Sequence, residues 1–345
     1  MKTVKPVMRR DHVLPVEVLR ELRIASAGSG LDHLSAASGL AVVGDHLYVV
    51  ADDEHSLGQF HLVDGGPGRL LTLFDEALPS HHGERKALKA DLEALTVLPE
   101  LAGYPNGALF VAGSGSKPNR RRGALLSLDV RGVVTGAARP VDLTAIHGPL
   151  QHQLGALNIE GLFVSAGALC LLQRGSKVSP TNACVRFDLG EFGKWLTQGG
   201  PAPQPTSITG YDLGSVSGVP MTFTDGAALP DGGWVFCAAA EDTDDSYHDG
   251  ACAGSAVGVV DACGTLHGPF VTAAPAKVEG IAIDPHGAPG AILLVTDADD
   301  RQMPGSLLKA SLTHVMHFPL PTAVRHERGL MPTNHGASSR SSRDT

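Results

Sequence analysis

The sequence predicts an all-β chain folded as a five-bladed β-propeller, and three observations carry that expectation. Glycine (42) and proline (23) are abundant while runs of strong helix formers are scarce, which favours turns and short strands. Five segments share a small or acidic residue, then Gly or Ala, then an apolar run: ASGLAVV (37–43), DLEALTVLP (91–99), NIEGLFV (158–164), FTDGAALP (223–230) and KVEGIAID (277–284). Their key residues, Ser38, Glu93, Glu160, Asp225 and Glu279, stand 55, 67, 65 and 54 residues apart, an imperfect repeat. Each segment is followed by further β-rich runs, and four antiparallel strands repeated around an axis is the propeller pattern.

Taken in order, the second strands are read in HLYVVADDEHS, GALFVAGSGS, ALCLLQRGS, GGWVFCAAAED and AILLVTDADD. Third strands follow in GQFHLVD, GALLSLDV, NACVRFDLG, SAVGVVDACG and GSLLKASL. Outer strands are weaker, in GRLLTLFD, GAARPVDL, PTSITGYDLG and GPFVTAAP, and the last unit, 277–312, has none of its own. The run VLPVEVLRELRI at 13–24 belongs to no unit, so this N-terminal strand is expected to complete the last sheet and close the ring. Six blades are the alternative, should a long connection hold a degenerate unit. One helical insertion is expected at 79–92, where SHHGERKALKADL offers a Ser cap followed by helix formers. The organisation is therefore a tail at 1–12, a single propeller domain at 13–322, and a disordered tail at 323–345, which is polar and Ser/Arg-rich.

A net charge of −9 argues against a general binder of nucleic acid or anionic membranes, whose phosphates attract basic surfaces. No apolar run approaches the ~20 residues a membrane helix requires. The opening MKTVKPVMRRDHVLPVEVLRELRI lacks the apolar core of a secretion signal, so a cytoplasmic location is expected. The five cysteines are odd in number and form no C-x-x-C pair, which reads as reduced thiols rather than a disulfide or zinc framework.

In a propeller the loop into each inner strand and the loop after each second strand share one face. Glu93, Glu160, Asp225 and Glu279, with Ser38, would then ring the channel mouth. Carboxylates so close need protons, cationic partners or a metal, and an all-oxygen ligand set suits Ca²⁺ first, with Mg²⁺ or Mn²⁺ as alternatives. The competing reading is that acid–Gly pairs bind backbone amides at blade starts and repeat only because the fold does. After the second strands come acids, among them Asp53 and Glu241, with His55 beside the first, and bases in GSGSKPNRRRG and QRGSK, among them Lys117, Arg120 and Arg174. Arg forks and a glycine-rich loop carrying Ser114 and Ser116 suit an anionic small molecule. No G-x-S-x-G elbow or P-loop is present, so metal-activated water is the expected nucleophile, with His55, Asp53 or Glu241 as the groups that move protons.

The units SGLAVVGDHLYVVADDEHS, DLEALTVLP, NIEGLFV, FTDGAAL and KVEGIAID resemble an uncharacterised group of bacterial propeller proteins over about residues 30–312. More distantly, SGLA (38–41), VVADDE (49–54) and the Glu–Gly pairs at 160 and 279 resemble the family called esterase-like activity of phytase. The resemblance implies a propeller of phosphoesterase or esterase ancestry. The expected function is a metal-dependent hydrolase of a small phosphorylated or ester substrate. The alternatives are a gluconolactonase-like lactonase and a non-catalytic, metal-stabilised binding propeller.

Overall fold

The computed structural model describes residues 1–6, 13–25, 32–176, 181–242, 252–274 and 276–314. Five four-stranded antiparallel units succeed one another along the chain. Blade 1 is Ala37–Val43, His46–Ala51, Ser56–His61 and Arg69–Thr72; blade 2 is Leu92–Leu98, Ala108–Gly113, Arg122–Leu128 and Val134–Asp142. Blade 3 is Ile159–Ser165, Ala168–Gln173, Asn182–Asp188 and Ser207–Tyr211; blade 4 is Thr222–Ala228, Trp234–Glu241, Cys252–Val260 and Leu266–Val271. Blade 5 takes Lys277–Ile283, Ala291–Asp297 and Ser306–Ser311 from its own repeat and its outer strand, Val16–Glu21, from the N-terminus. The ring therefore closes as the repeat predicts, with five blades.

The inner and second strands are buried almost throughout, so both sheet faces carry apolar residues rather than a strict alternation. Those faces meet in five apolar clusters, one in each gap between neighbouring blades. The gap between blades 3 and 4 is aromatic, with Phe163 stacked on Trp234 and Phe223 edge-on to Phe236. In the gap between blades 5 and 1, Leu22 and Ile24, just after the N-terminal strand, pack with Leu40 and Val295.

Among the described residues three α-helices decorate the ring: α1 (His82–Leu88), α2 (Thr144–Leu154) and α3 (Leu189–Gln198). The expected insertion is α1, but its N-cap is His81, without a side-chain cap bond, rather than Ser80. The other two are not read from the repeat. In α3, Asp188 caps the Glu191 amide at 2.9 Å while Phe192 and Leu196 enter the gap between blades 2 and 3. The first residues, expected to stand outside the propeller, add a strand: Lys2–Val4 pairs in parallel with the outer strand of blade 3. The five cysteines are free; Cys170, Cys184 and Cys237 are buried. No helix among the described residues is long and apolar enough to cross a membrane. The expected C-terminal tail lies outside the described residues.

Candidate functional site

Strand register brings the predicted rings together. Ala37 lies opposite Ala51, Leu92 opposite Gly113, Ile159 opposite Gln173 and Lys277 opposite Asp297, so inner-strand starts and second-strand ends share one face. Every inner strand also slips register just inside that face: between Ala37 and Gly39, Leu92 and Ala94, Ile159 and Gly161, Phe223 and Asp225, and Val278 and Gly280. A bulge leaves its extra residue unpaired and re-aims its side chain. The bulged residues are Ser38, Glu93, Glu160, Thr224 and Glu279.

Asp225 is therefore displaced by one position from the ring the sequence predicts. It occupies the place held by Gly39, Ala94, Gly161 and Gly280 in the other blades, and it is fully buried. A Cβ on Gly161 would come within 3.0 Å of Asp225 Oδ1, so the small residues of the neighbouring blades leave the room this side chain fills. Its Oδ2 accepts the Ile281 amide at 3.0 Å. Burial pushes the carboxyl well above the usual range, against the amides of Ile281, Gly226, Leu40 and Leu162, which favour its charged form.

At the mouth the carboxyl groups are laced to buried cations. Lys89, at the end of α1, bonds Asp52 and lies 2.9 Å from Asp91. Arg120 donates to Asp91 at 2.6 Å, as does Ser114 Oγ, and Ser116 closes the group on Ser114 (2.8 Å) and Arg120 (3.0 Å). Arg174 bridges Glu160 at 3.1 Å and Glu241, and reaches Thr222. Lys277 contacts Glu241 (2.7 Å), Asp299 (2.9 Å) and Glu279 (3.0 Å), with Asp297 at 3.9 Å. Glu160 also accepts from Asn158 at 2.5 Å. Burial lifts the Glu160 carboxyl to about 8, opposed by Arg174. Burial also raises Glu93, with Glu160 the neighbouring charge that adds most, and raises Glu279 against Lys277 and Arg174.

The predicted residues thus divide. Glu160 and Glu279 are held by Arg174 and Lys277, while Glu93 converges with Asp52 and Asp91, whose oxygens lie within 4.8 Å of one another and could hold a metal ion. Arg120, Arg174 and Ser114, expected to bind an anion, are engaged by carboxylates of the protein itself, and Ser116, expected with them, by Ser114 and Arg120. His55, expected to move protons, spends both ring nitrogens on backbone: Nδ1 on the Glu76 carbonyl at 2.9 Å and Nε2 on the Ala90 amide at 3.1 Å. It latches α1 to blade 1 instead. Asp53 is tied to Arg301 at 3.1 Å, with its Oδ1 buried and unpartnered. Lys117 lies just before the short 3₁₀ turn Pro118–Arg120. Lys177 and the acids at 244, 245 and 249 lie outside the described residues.

Lys89, Asp91 and Lys277 are the site residues that reading the repeats misses. Asp91 and Lys277 stand two residues before Glu93 and Glu279, and residues at that spacing on a strand share a face; this was the available signal. At the mouth Asp52, Asp91, Glu93, Glu160, Glu241, Glu279, Asp297 and Asp299 meet Lys89, Arg120, Arg174 and Lys277, with Asp53 and Glu54 beside them paired to Arg301 and Arg85.

Residues 33–312 match the family described as "Family of unknown function (DUF6929)". No curated protein matches the chain. Among solved structures, a luciferin-regenerating enzyme is 14% identical, covering 86% of this chain and 94% of its own, with a TM-score of 0.45. The glutaminyl cyclase of Myxococcus xanthus is 13% identical over 87% of this chain and 99% of its own, with a TM-score of 0.45. A gluconolactonase of Xanthomonas campestris is 14% identical over 80% of this chain and 71% of its own, with a TM-score of 0.39.

Proposed function

The chain belongs to the DUF6929 family, whose function is unknown, and we propose that its channel mouth is a divalent-cation site serving hydrolysis of a small neutral ester or lactone. The observation that carries this reading is the convergence of Asp52, Asp91 and Glu93 at the mouth. Oxygen-only ligands suit Ca²⁺, Mg²⁺ or Mn²⁺. The ion would polarise the carbonyl and acidify a bound water. Glu160, whose carboxyl titrates at about 8, holds a proton at neutral pH that it can give to the departing alkoxide. A phosphorylated substrate is disfavoured because Arg120 and Arg174 already serve internal carboxylates.

A second reading rests on Lys89, whose ammonium already stands against Asp52 and Asp91. There the mouth is a metal-free or merely metal-stabilised binding surface without turnover. Metal-stripped protein should melt higher in Ca²⁺, Mg²⁺ or Mn²⁺, because an ion held only by the folded state stabilises it. Asp52→Asn combined with Glu93→Gln should abolish the rise and any cation-dependent cleavage of aryl esters and lactones. A rise without cleavage selects the binding surface; no rise with any of the three ions removes the cation site.

A further inference from the structure

On the face opposite the mouth, blade 1 brings two histidines together that sequence spacing keeps fifteen residues apart. His46 opens the second strand and His61 closes the third, and they are direct cross-strand partners. The Leu62 amide bonds the Asp45 carbonyl at 2.7 Å, so 45 and 62 form the hydrogen-bonded pair and 46 and 61 the adjacent non-hydrogen-bonded one. Side chains approach more closely at pairs of the second kind. The two imidazoles stand 5.6 Å apart between centroids at an interplanar angle of 84°.

Those values match two imidazoles on one tetrahedral ion. With a metal–nitrogen bond of about 2.0 Å, each ring centre lies roughly 3.2 Å from the metal, and a tetrahedral to trigonal angle puts the centres about 5.2–5.5 Å apart, within about 0.1 Å of the observed spacing at its wide end. We propose that His46 and His61 form a binding site for a borderline transition-metal ion, Zn²⁺, Ni²⁺ or Cu²⁺, with water completing the coordination. Nitrogen ligands select these ions over Ca²⁺ and Mg²⁺, so the site is chemically separate from the carboxylate mouth. His61 Nδ1 lies 3.4 Å from Asp64 Oδ2, the carboxylate partner a ligating imidazole requires on its other nitrogen. In the unloaded ring Nδ1 accepts the Asp64 amide at 3.3 Å; on loading through Nε2 it carries the proton and donates to the carboxylate.

The surroundings are compatible with a cation. Asp45 and Asp129 act on His46 as negative charges, with Arg131 opposing them and itself bound to Asp129. His286 pairs with Asp45 at 2.9 Å across the blade 5 boundary and serves as the control histidine.

The full chain should melt higher in Zn²⁺ or Ni²⁺, since the pair is assembled only when blade 1 is folded. His46→Ala and His61→Ala should each lose that rise, His61→Gln should lose it with little change in side-chain bulk, and His286→Ala should keep it. Asp64→Ala should weaken Zn²⁺ affinity about tenfold through the ligand's orientation. An unchanged rise in both His46 and His61 variants, or no rise in the parent chain, overturns the proposal. Because the variants spare Asp52 and Glu93, their response to Ca²⁺ reports separately on the mouth.

Discussion

Glu160 shows how a single side chain makes this protein sensitive to pH. Its carboxyl titrates at about 8 in the folded chain against an ordinary 4.5, chiefly because burial disfavours the charged form. Between those values the native state holds a proton that the unfolded chain has released, so stability is full below pH 4.5 and declines as pH rises through about 8. Glu93 and Glu279 are raised for the same reason and act with the same sign. The melting temperature should therefore fall from pH 5 to pH 9, and Glu160→Gln, which stays neutral and can still accept from Arg174, should make the decline shallower. An identical pH profile for the variant would show that Glu160 keeps its charge through the whole range.

At the scale of the strand, the bulge that opens each blade links packing to the site. It turns Glu93, Glu160 and Glu279 toward the mouth while the following small residue lets neighbouring inner strands close on the axis. A Cβ on Gly39 would stand 2.8 Å from the Glu93 carbonyl oxygen and 3.1 Å from the Leu95 amide nitrogen, both backbone atoms of blade 2. Gly39→Ala should therefore cost about 1–3 kcal/mol by overpacking, seen as a lower urea midpoint at unchanged slope. It should also weaken cation binding, because the strand that must yield carries Glu93. Equal stability would mean that the two blades can part at this point without strain. The same strands show what was legible in advance. A small or acidic residue followed by Gly or Ala and then an apolar run marked every inner strand, because each blade must solve the same close-packing problem. In blade 4 the likeness misled: Asp225–Gly226 looks like Glu160–Gly161, but the bulge falls on Thr224, and only the pairing of Asp225 with Cys237 reveals it. The pairing of His46 with His61 was invisible for a related reason, since hairpin register and not spacing sets it. Arg174 was read as a ligand for substrate anions because its charge was visible and its partners, Glu160 from its own blade and Glu241 from the next, were not.

For the molecule as a whole, the described parts of the N-terminal segment contact four of the five blades. Lys2–Val4 joins blade 3, and Leu14 bonds Val271 and Ala273 beside blade 4 at 2.7 and 3.1 Å. Val16–Glu21 then completes blade 5, and Ala25 and Arg23 exchange bonds with Gly68, beside the outer strand of blade 1, at 2.8 Å each. Leu14, Leu22 and Ile24 bury their side chains in the gaps they cross. A ring held only by successive blades would leave the gap between blades 5 and 1 as its weakest seam, with Ser306–Ser311 exposing an open edge. Removing residues 1–6 should lower the melting temperature slightly, because it strips three residues from an outer edge. Removing residues 1–25 should do far more: it uncovers that edge and empties apolar pockets whose filling is worth about 2–5 kcal/mol for each large side chain. The shortened chain should aggregate or lose cooperative melting, and a peptide spanning residues 13–25 added in trans should restore it. Cooperative melting of the 26–345 chain near the full-length temperature would show instead that the inner strands alone hold the ring closed.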